Sequence, residues 1–238
     1  MTRDARMPML EHLYELRRRM AIAAIAVVLG AIVAFIFRGW ILDVLVRPYE
    51  RATGEETLAF FEVGEAFSVS MKVGLFGGVV LTAPIWLYQL WAFVVPALSK
   101  REKRWAIPIV VSLAILFIGG VLFAYWTMER AYDWLIGFGG DRLTPVIGVN
   151  QYLTFTFRYL LVFGIAFLFP VFVFAAGASG VVGSRQLKRG RRWAVLIIVV
   201  VAAVLTPTGD PGTLMLLSVP LYLLYEATIW LVRFLLKK

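Results

Sequence analysis

Residues 73–104 read VGLFGGVVLTAPIWLYQLWAFVVPALSKREKR, an uncharged stretch that ends abruptly in a dense group of charges. A helix needs about 20 apolar residues to cross the hydrocarbon core of a bilayer. The uncharged part, Val73–Val95, is long enough, and the basic residues after it are typical of a loop at the membrane surface. The pattern therefore predicts a transmembrane helix followed by a short loop.

The same alternation recurs along the whole chain, which is 61% hydrophobic and only 16% charged, with a mean hydropathy of +0.83. Such a composition is too apolar for a water-soluble domain. Six apolar runs stand out: Met20–Phe37, Val73–Val95, Trp105–Trp126, Tyr159–Val182, Trp193–Leu205 and Leu214–Leu231. We therefore expect an all-α integral membrane protein whose six transmembrane helices form a single domain, residues 1–238.

The basic residues predict how the six spans are oriented. Of the 24 Lys and Arg residues, 17 fall in the N-tail, the C-tail and the connections after the second and fourth runs. Cytoplasmic segments carry this excess, so both termini are predicted to be cytoplasmic. The N-tail is then residues 1–19, an amphipathic helix at the cytoplasmic surface, and the cytoplasmic loops are 96–104 and 183–192. Residues 38–72 become an outer cap with two short amphipathic elements, Ile41–Val46 and Phe60–Met71.

The last two spans are expected to form a short hairpin. The fifth run, Trp193–Leu205, would extend only about 20 Å as a helix, against about 30 Å of hydrocarbon. A tight connection, residues 206–212, follows it directly. We expect helices five and six to be short and the bundle to be concave as a result.

Several kinds of site are excluded or disfavoured by composition. There is no cysteine and one histidine, His12, which lies outside every apolar run. Thiolate metal sites and cysteine nucleophiles are thereby excluded, and no cofactor is expected. The net charge of +9 is better explained by cytoplasmic loops than by nucleic acid. A membrane serine protease is disfavoured because Ser112 and Ser218 have no histidine in a span beside them.

Two glutamates on the predicted cytoplasmic side are candidates for binding guanidinium groups. Glu15 stands four residues before Arg19, a spacing that favours an ordinary helix-stabilising ion pair. Glu102 is the only carboxylate in a basic loop, where it relieves repulsion among its neighbours. Both could instead accept short bidentate hydrogen bonds from arginine. The spacing alone leaves the structural and the binding interpretation open.

Three motifs, in register along nearly the whole chain, resemble those of the TatC family of twin-arginine translocase subunits. His12-Leu13-Tyr14-Glu15-Leu16-Arg17 resembles the family's HL-x-ELR opening. Residues 84–98 resemble its P-x-x-x-YQ-x-WAF-x-x-PAL run, which Glu102 and Arg104 follow. Residues 206–226, with Asp210 and Glu226, resemble its last hairpin.

The resemblance implies the function. A TatC-type protein is the receptor for twin-arginine signal peptides and the core subunit of a translocase that exports folded proteins, driven by the protonmotive force. It implies single-span TatA-type and TatB-type partners, self-association, and a prokaryotic cytoplasmic membrane, with no enzymatic activity. It also implies that Glu15 and Glu102 bind the arginine pair.

The same resemblance singles out residues with supporting roles, and four of them also have simpler explanations. His12, Arg17, Pro48, Phe93, Arg104, Asp210 and Glu226 match family positions that support recognition or translocation. Arg17 and Phe93 also suit the membrane interface, and Asp210 suits a helix N-cap. Glu226 could contact a partner helix or pair with Arg233 at i+7.

The sequence departs from the family at two positions. Leu168, two residues before Pro170, stands where the family usually has Glu or Gln in the fourth span. Leu214 stands where a polar residue often opens the sixth. The main alternative function is a proton-coupled small-molecule transporter, with Glu226 as the proton site. A single intramembrane carboxylate and no internal repeat argue against it.

Overall fold

The computed structural model describes residues 9–55, 57–94, 106–137, 146–178, 184–205 and 210–235, and nearly all of them are helical. The helices are α1 Met9–Ile36, α2 Arg38–Thr53, α3 Glu65–Leu81, α4 Ala83–Val94, α5 Ala106–Gly137, α6 Val149–Ala166, α7 Phe169–Ala178, α8 Ser184–Arg189, α9 Arg191–Leu205 and α10 Pro211–Leu235. These ranges contain no strand, only an isolated bridge between Ala59 and Gly148. The predicted all-α fold is confirmed.

Four helical stretches are long and apolar enough to cross a bilayer: Leu13–Ile36, Ile107–Gly137, Val149–Gly177 and Pro211–Phe234. Glu65–Leu81 and Ala83–Phe93 are bent by 58° and make a fifth if the pair is one span. In the first stretch only 11% of the most apolar window is buried, so most of its apolar side chains face outward. A surface of this kind needs lipid around it. The protein is membrane-spanning.

The two helices of the last hairpin differ in length. α9 has 15 residues, about 22 Å at 1.5 Å per residue, and is as short as expected. α10 has 25 residues, so the expectation of a short sixth helix is wrong. Its amino end starts at Pro211, three residues before the apolar run, and its carboxyl end passes Leu231. The six-span count, the concave shape and the cytoplasmic termini stay predictions.

The closest packing in the described part of the chain joins α1 to α3, where small residues let the backbones approach. A Cβ atom on Gly78 would lie 2.4 Å from the nitrogen of Ala31, and one on Gly30 would lie 2.5 Å from Cγ2 of Thr82. Apart from glycine, no residue fits at this distance. Small residues commonly serve this purpose between membrane helices.

α3 and α4 are separated by a bend at Thr82 that Pro84 explains. Proline has no N–H and clashes with the preceding turn, so it is tolerated only near a helix start. Thr82 Oγ1 donates to the carbonyl oxygen of Gly78 at 2.7 Å, and Trp86 Nε1 donates to that of Val79 at 2.9 Å. The two side chains thus donate hydrogen bonds to carbonyl oxygens in the last turn of α3, next to the bend.

Several predicted boundaries are wrong, and polar residues are the reason. The expected element Phe60–Met71 is not separate, because α3 begins at Glu65 and continues into the span. The fourth span begins at Val149, ten residues earlier than predicted, and breaks at residues 167–168 before Pro170. The other cap element is longer than Ile41–Val46, since α2 spans Arg38–Thr53.

The cytoplasmic segments of the prediction also differ. The N-tail is not a separate surface helix, because α1 runs unbroken from Met9 to Ile36. The expected loop 183–192 contains the helix α8, Ser184–Arg189. The other expected loop, 96–104, lies outside the described residues.

Candidate functional site

The amino-terminal end of α1 carries the first site residue, Glu15, which is paired with Arg19. Arg19 Nε donates to Glu15 Oε1 at 3.0 Å, and Nη2 donates to the same oxygen at 2.5 Å. The arginine and glutamate side chains are only 23% and 21% exposed, respectively. The other carboxylate oxygen, Oε2, is buried and has no hydrogen-bond partner among the residues described. Half of the carboxylate is therefore satisfied and half is not.

A groove of about 210 Å³ opens beside this pair, between α1 and α4. Its walls combine six apolar side chains with one amide and one guanidinium. They are Leu16, Arg19, Met20, Ala23, Trp86, Gln89, Leu90 and Phe93. Arg19 thus belongs to both the ion pair and the groove. The Glu15–Arg19 ion pair therefore adjoins a largely apolar groove.

A second cluster of charges lies where α10 meets the start of α9. Arg191 Nη2 donates to Glu226 Oε2 at 2.7 Å, and the Tyr222 hydroxyl donates to Glu226 Oε1 at 3.0 Å. Tyr225 donates to the carbonyl oxygen of Leu187 at 2.8 Å and ties α8 to α10. Glu226 pairs with Arg191, a residue that neither of the two sequence-based alternatives, Arg233 or a partner helix, had named.

The predicted cap is held by hydrogen bonds to two carbonyl oxygens of α2, and Pro48 explains why one of them is available. Because Pro48 has no N–H, the carbonyl oxygen of Val44, four residues earlier, loses its helical donor. The Tyr125 hydroxyl of α5 donates to that oxygen at 2.8 Å. One residue on, Tyr152 of α6 donates to the carbonyl oxygen of Leu45 at 2.6 Å. Pro48 is itself buried in this packing.

Tyr49, which follows Pro48, packs against one of the same helices, α6, and is also buried. Its ring meets Tyr152 edge to face at 5.3 Å between centroids, and its hydroxyl donates to Glu55 Oε2 at 3.0 Å. Burial, and then the Glu55 carboxylate, raise the pKa of the Tyr49 phenol.

Gly54 ends α2 in the left-handed region (φ 72°). Its N–H donates to the carbonyl oxygen of Glu50 at 2.9 Å.

The start of α10 is capped by Asp210. The backbone N–H of Thr213 donates to Asp210 Oδ1 at 2.9 Å, and the Thr213 hydroxyl donates to Oδ2. A carboxylate in this position satisfies free N–H groups and suits the positive end of the helix. The predicted N-cap is confirmed.

Comparison with known proteins identifies the family. A family model described as Sec-independent protein translocase protein (TatC) matches residues 11–220. The chain belongs to the TatC family. It is therefore a component of the Sec-independent, or Tat, protein translocase, in which it works with other Tat subunits. The TatC family is not an enzyme family.

Individual TatC proteins match over nearly the whole chain. It is 39% identical to that of Frankia casuarinae over 95% of its length, although it spans only 65% of that longer protein. It is 34% identical to the TatC of Carboxydothermus hydrogenoformans, covering 97% of this chain and 95% of the relative. A crystal structure of the twin-arginine translocase receptor TatC in DDM superposes with a TM-score of 0.79 at 34% identity, covering 92% of this chain and 98% of that one.

The TatC motif residues fall in separate parts of the structure. Glu15 and Phe93 share one end, because Phe93 lines the groove beside the Glu15–Arg19 pair. Arg17 is exposed on α1. Pro48 follows the far end of α1, Asp210 immediately precedes α10, and Glu226 lies in the second half of α10.

Three candidates of the prediction are not fully covered. Glu102 and Arg104 lie outside the described residues. His12 lies within α1, but its side chain is also outside the description. Of the two glutamates predicted to act together, the structure describes Glu15 alone.

Leu168, which replaces the polar residue usual in TatC proteins, is 3% exposed in the turn between α6 and α7. It packs in the protein core and does not face lipid. Leu214 is half-buried in the first turn of α10. At both positions an apolar side chain fits the packing of this chain.

One polar cluster was not predicted from the sequence. Glu65 is 6% exposed and accepts hydrogen bonds from the backbone N–H groups of Phe61 at 2.7 Å, Asn150 at 3.0 Å and Glu62 at 3.3 Å. Lys72 Nζ donates to Asn150 Oδ1 and, at 3.4 Å, to Thr154 Oγ1. Only the spacing of Glu65 and Lys72 at i,i+7 on one helical face could have suggested it.

Proposed function

We propose that this protein is the receptor for twin-arginine signal peptides and binds the peptide's arginine pair at the amino-terminal end of α1. The supporting observation is the position of Glu15. Its carboxylate is paired with Arg19, which lines an apolar groove, and has one oxygen without a partner among the described residues. A guanidinium donates two parallel hydrogen bonds to a carboxylate and would satisfy that oxygen.

The groove suits the apolar part of such a peptide. Signal peptides have an apolar segment after their basic residues. Six of the eight groove side chains are apolar, and the groove begins next to Glu15. Burial of apolar surface there would add to the affinity that the charges supply. Glu102 is proposed as the second carboxylate, as the family motif implies.

The wider setting is part of the same proposal. The protein would lie in a prokaryotic cytoplasmic membrane with six spans and both termini in the cytoplasm. It would self-associate and work with TatA-type and TatB-type single-span partners, using the protonmotive force. The transporter alternative has less support, because Glu226, its proton site, is held by Arg191 and Tyr222.

Site-specific photo-crosslinking of a twin-arginine signal peptide to the full-length protein in membranes tests the proposal. We expect strong crosslinks to the wild type and much weaker ones to Glu15→Gln, to Glu102→Gln and with a twin-lysine peptide. Glu62→Gln, at an exposed glutamate just before α3, is the matched control and should crosslink like the wild type. Equal crosslinking in all variants would show that the two glutamates are structural.

A further inference from the structure

Arg19 holds the Glu15 carboxylate with the same chemical group that a twin-arginine peptide would present. Its Nε and Nη2 atoms lie 3.0 and 2.5 Å from Glu15 Oε1. Its side chain also forms part of the groove wall, beside Met20 and Phe93. We propose that Arg19 is an internal stand-in for a peptide arginine, and that the peptide binds by displacing Arg19 from Glu15. This inference rests on the proposed function.

The geometry gives this exchange a direction. Arg19 is tethered four residues further along the same helix and reaches only Oε1, while Oε2 stays buried without a partner in the described ranges. A guanidinium from another chain has no such tether and can donate to both oxygens. The peptide arginine therefore also satisfies Oε2, which Arg19 leaves without a hydrogen bond. A lysine ammonium is a point donor that cannot match both oxygens and gains less.

Displacement imposes the same cost on every ligand of Glu15. An i,i+4 ion pair at a partly exposed site corresponds to about a two- to fivefold change in an equilibrium constant. Each peptide therefore binds about two- to fivefold more weakly than it would to an unoccupied Glu15. Only ligands with the best carboxylate geometry then bind well. Arg19 therefore lowers the affinity of every peptide, and the carboxylate geometry of Glu15 distinguishes arginine from lysine.

The neighbouring arginines provide the matched comparison. Arg18 belongs to the same turn and carries the same charge, but it is exposed, whereas Glu15 is paired with Arg19. Arg19 is the more buried, at 23% exposure of its side chain. Removing either charge changes the electrostatic attraction for a basic peptide to a similar degree. Only the removal of Arg19 frees the Glu15 carboxylate.

The experiment measures the affinity of a fluorescent twin-arginine signal peptide by anisotropy, with the full-length protein in lipid nanodiscs. We expect Arg19→Gln to bind about two- to fivefold more tightly than Arg18→Gln. Arg19→Lys should bind slightly more tightly than the wild type, because the compact ammonium group of lysine cannot donate two parallel hydrogen bonds and holds Glu15 less firmly than the guanidinium does. In a Glu15→Gln background Arg19→Gln should bind no more tightly than Arg18→Gln, since there is no carboxylate to free and only the loss of one positive charge remains.

The outcomes separate the two proposals. If Glu15→Gln weakens binding but Arg19→Gln binds no more tightly than Arg18→Gln, Arg19 is not a competitor and the inference is overturned, while the receptor proposal stands. If Glu15→Gln binds like the wild type, the receptor site itself is wrong. Size-exclusion chromatography establishes that each variant is folded. Should Arg19→Gln fail this check, Arg19→Lys decides, and an affinity equal to or below that of the wild type overturns the inference.

Discussion

Two glutamates in this protein, Glu15 and Glu65, are both largely buried but differ in how their oxygens are satisfied. Glu65, in the predicted cap, accepts three backbone N–H groups and is shared between the start of α3 and the start of α6. Glu15, near the other end of α1, has one oxygen bound by Arg19 and one without a partner among the described residues. Buried carboxylates normally have their hydrogen bonds made.

The difference indicates which carboxylate is structural and which is available. A carboxylate that accepts only backbone donors is part of the fold, because nothing can replace those donors without unfolding the loop. A carboxylate oxygen that has no partner among the described residues can accept a donor from another molecule once its present neighbour moves away. By this criterion Glu65 holds the cap in place, and Glu15 is the carboxylate that we propose for peptide binding. The predictions below test that division.

The largest expected effect is on stability and comes from Glu65. Glu65→Ala leaves three backbone N–H groups without their acceptor at a buried site, which is costly. We expect the melting temperature of the purified protein to fall by roughly 5 °C or more. Glu15→Ala should change it by less, because it removes one partly exposed pair.

Peptide affinity should respond in the opposite order. Glu15→Ala should abolish most of the binding, while folded Glu65→Ala protein should keep it. A Glu65→Ala protein as stable as the wild type, or one that is stable but unable to bind peptide, would contradict the division between the two glutamates. Thermal unfolding in detergent and peptide anisotropy on the same samples measure both quantities.

The contrast between these glutamates also shows what sequence patterns can predict. Hydropathy locates α1, α5 and α10 because their apolar runs are long and need no partner to be recognised. It places the second and fourth spans too late, because Glu65, Lys72 and Asn150 are polar. Those residues satisfy one another between α3 and α6, at separations of 78 and 85 residues along the chain. Local patterns contain no information about such pairs.

The candidate site was predictable to a similar extent. Family motifs singled out Glu15, and spacing suggested its Arg19 partner, which the structure confirms. Neither could show that one carboxylate oxygen is buried without a hydrogen-bond partner in the part of the chain that the structure describes, since that depends on the packing around it. Glu226 illustrates the same limit, because its partner Arg191 is 35 residues away on another helix.

An intermediate effect is expected where Pro48 and Tyr125 fix the cap to the bundle. Tyr125→Phe removes the donor to the carbonyl oxygen of Val44 and should lower the free energy of unfolding by about 1 kcal/mol. In a Pro48→Ala background the cost should be about half, because alanine at this position supplies the helical N–H that proline lacks. Denaturant unfolding of the two single variants and the double variant measures this coupling.

Tyr88→Phe is the matched control, since Tyr88 is exposed on α4 and its hydroxyl is far from α2 in the chain. It should leave the free energy of unfolding unchanged in either background. If Tyr125→Phe costs the same with and without Pro48, the two residues are independent. The carbonyl of Val44 would then not be what links them.

The smallest expected effect comes from Arg191 and Glu226, the charge pair of the last hairpin. Arg191 is 45% exposed and Glu226 21%, so solvent screens their attraction, and we expect a coupling energy of about 0.5 kcal/mol or less. A double-mutant cycle of Arg191→Gln and Glu226→Gln measures it, with Arg233→Gln as a control that should not couple to Glu226. Coupling above about 1 kcal/mol would mean that the pair is shielded from water and holds the α9–α10 hairpin in place, as Glu65 holds the cap. A low value would place Glu226 with Glu15, as a carboxylate whose internal partner is weak enough to be exchanged for a residue of another subunit.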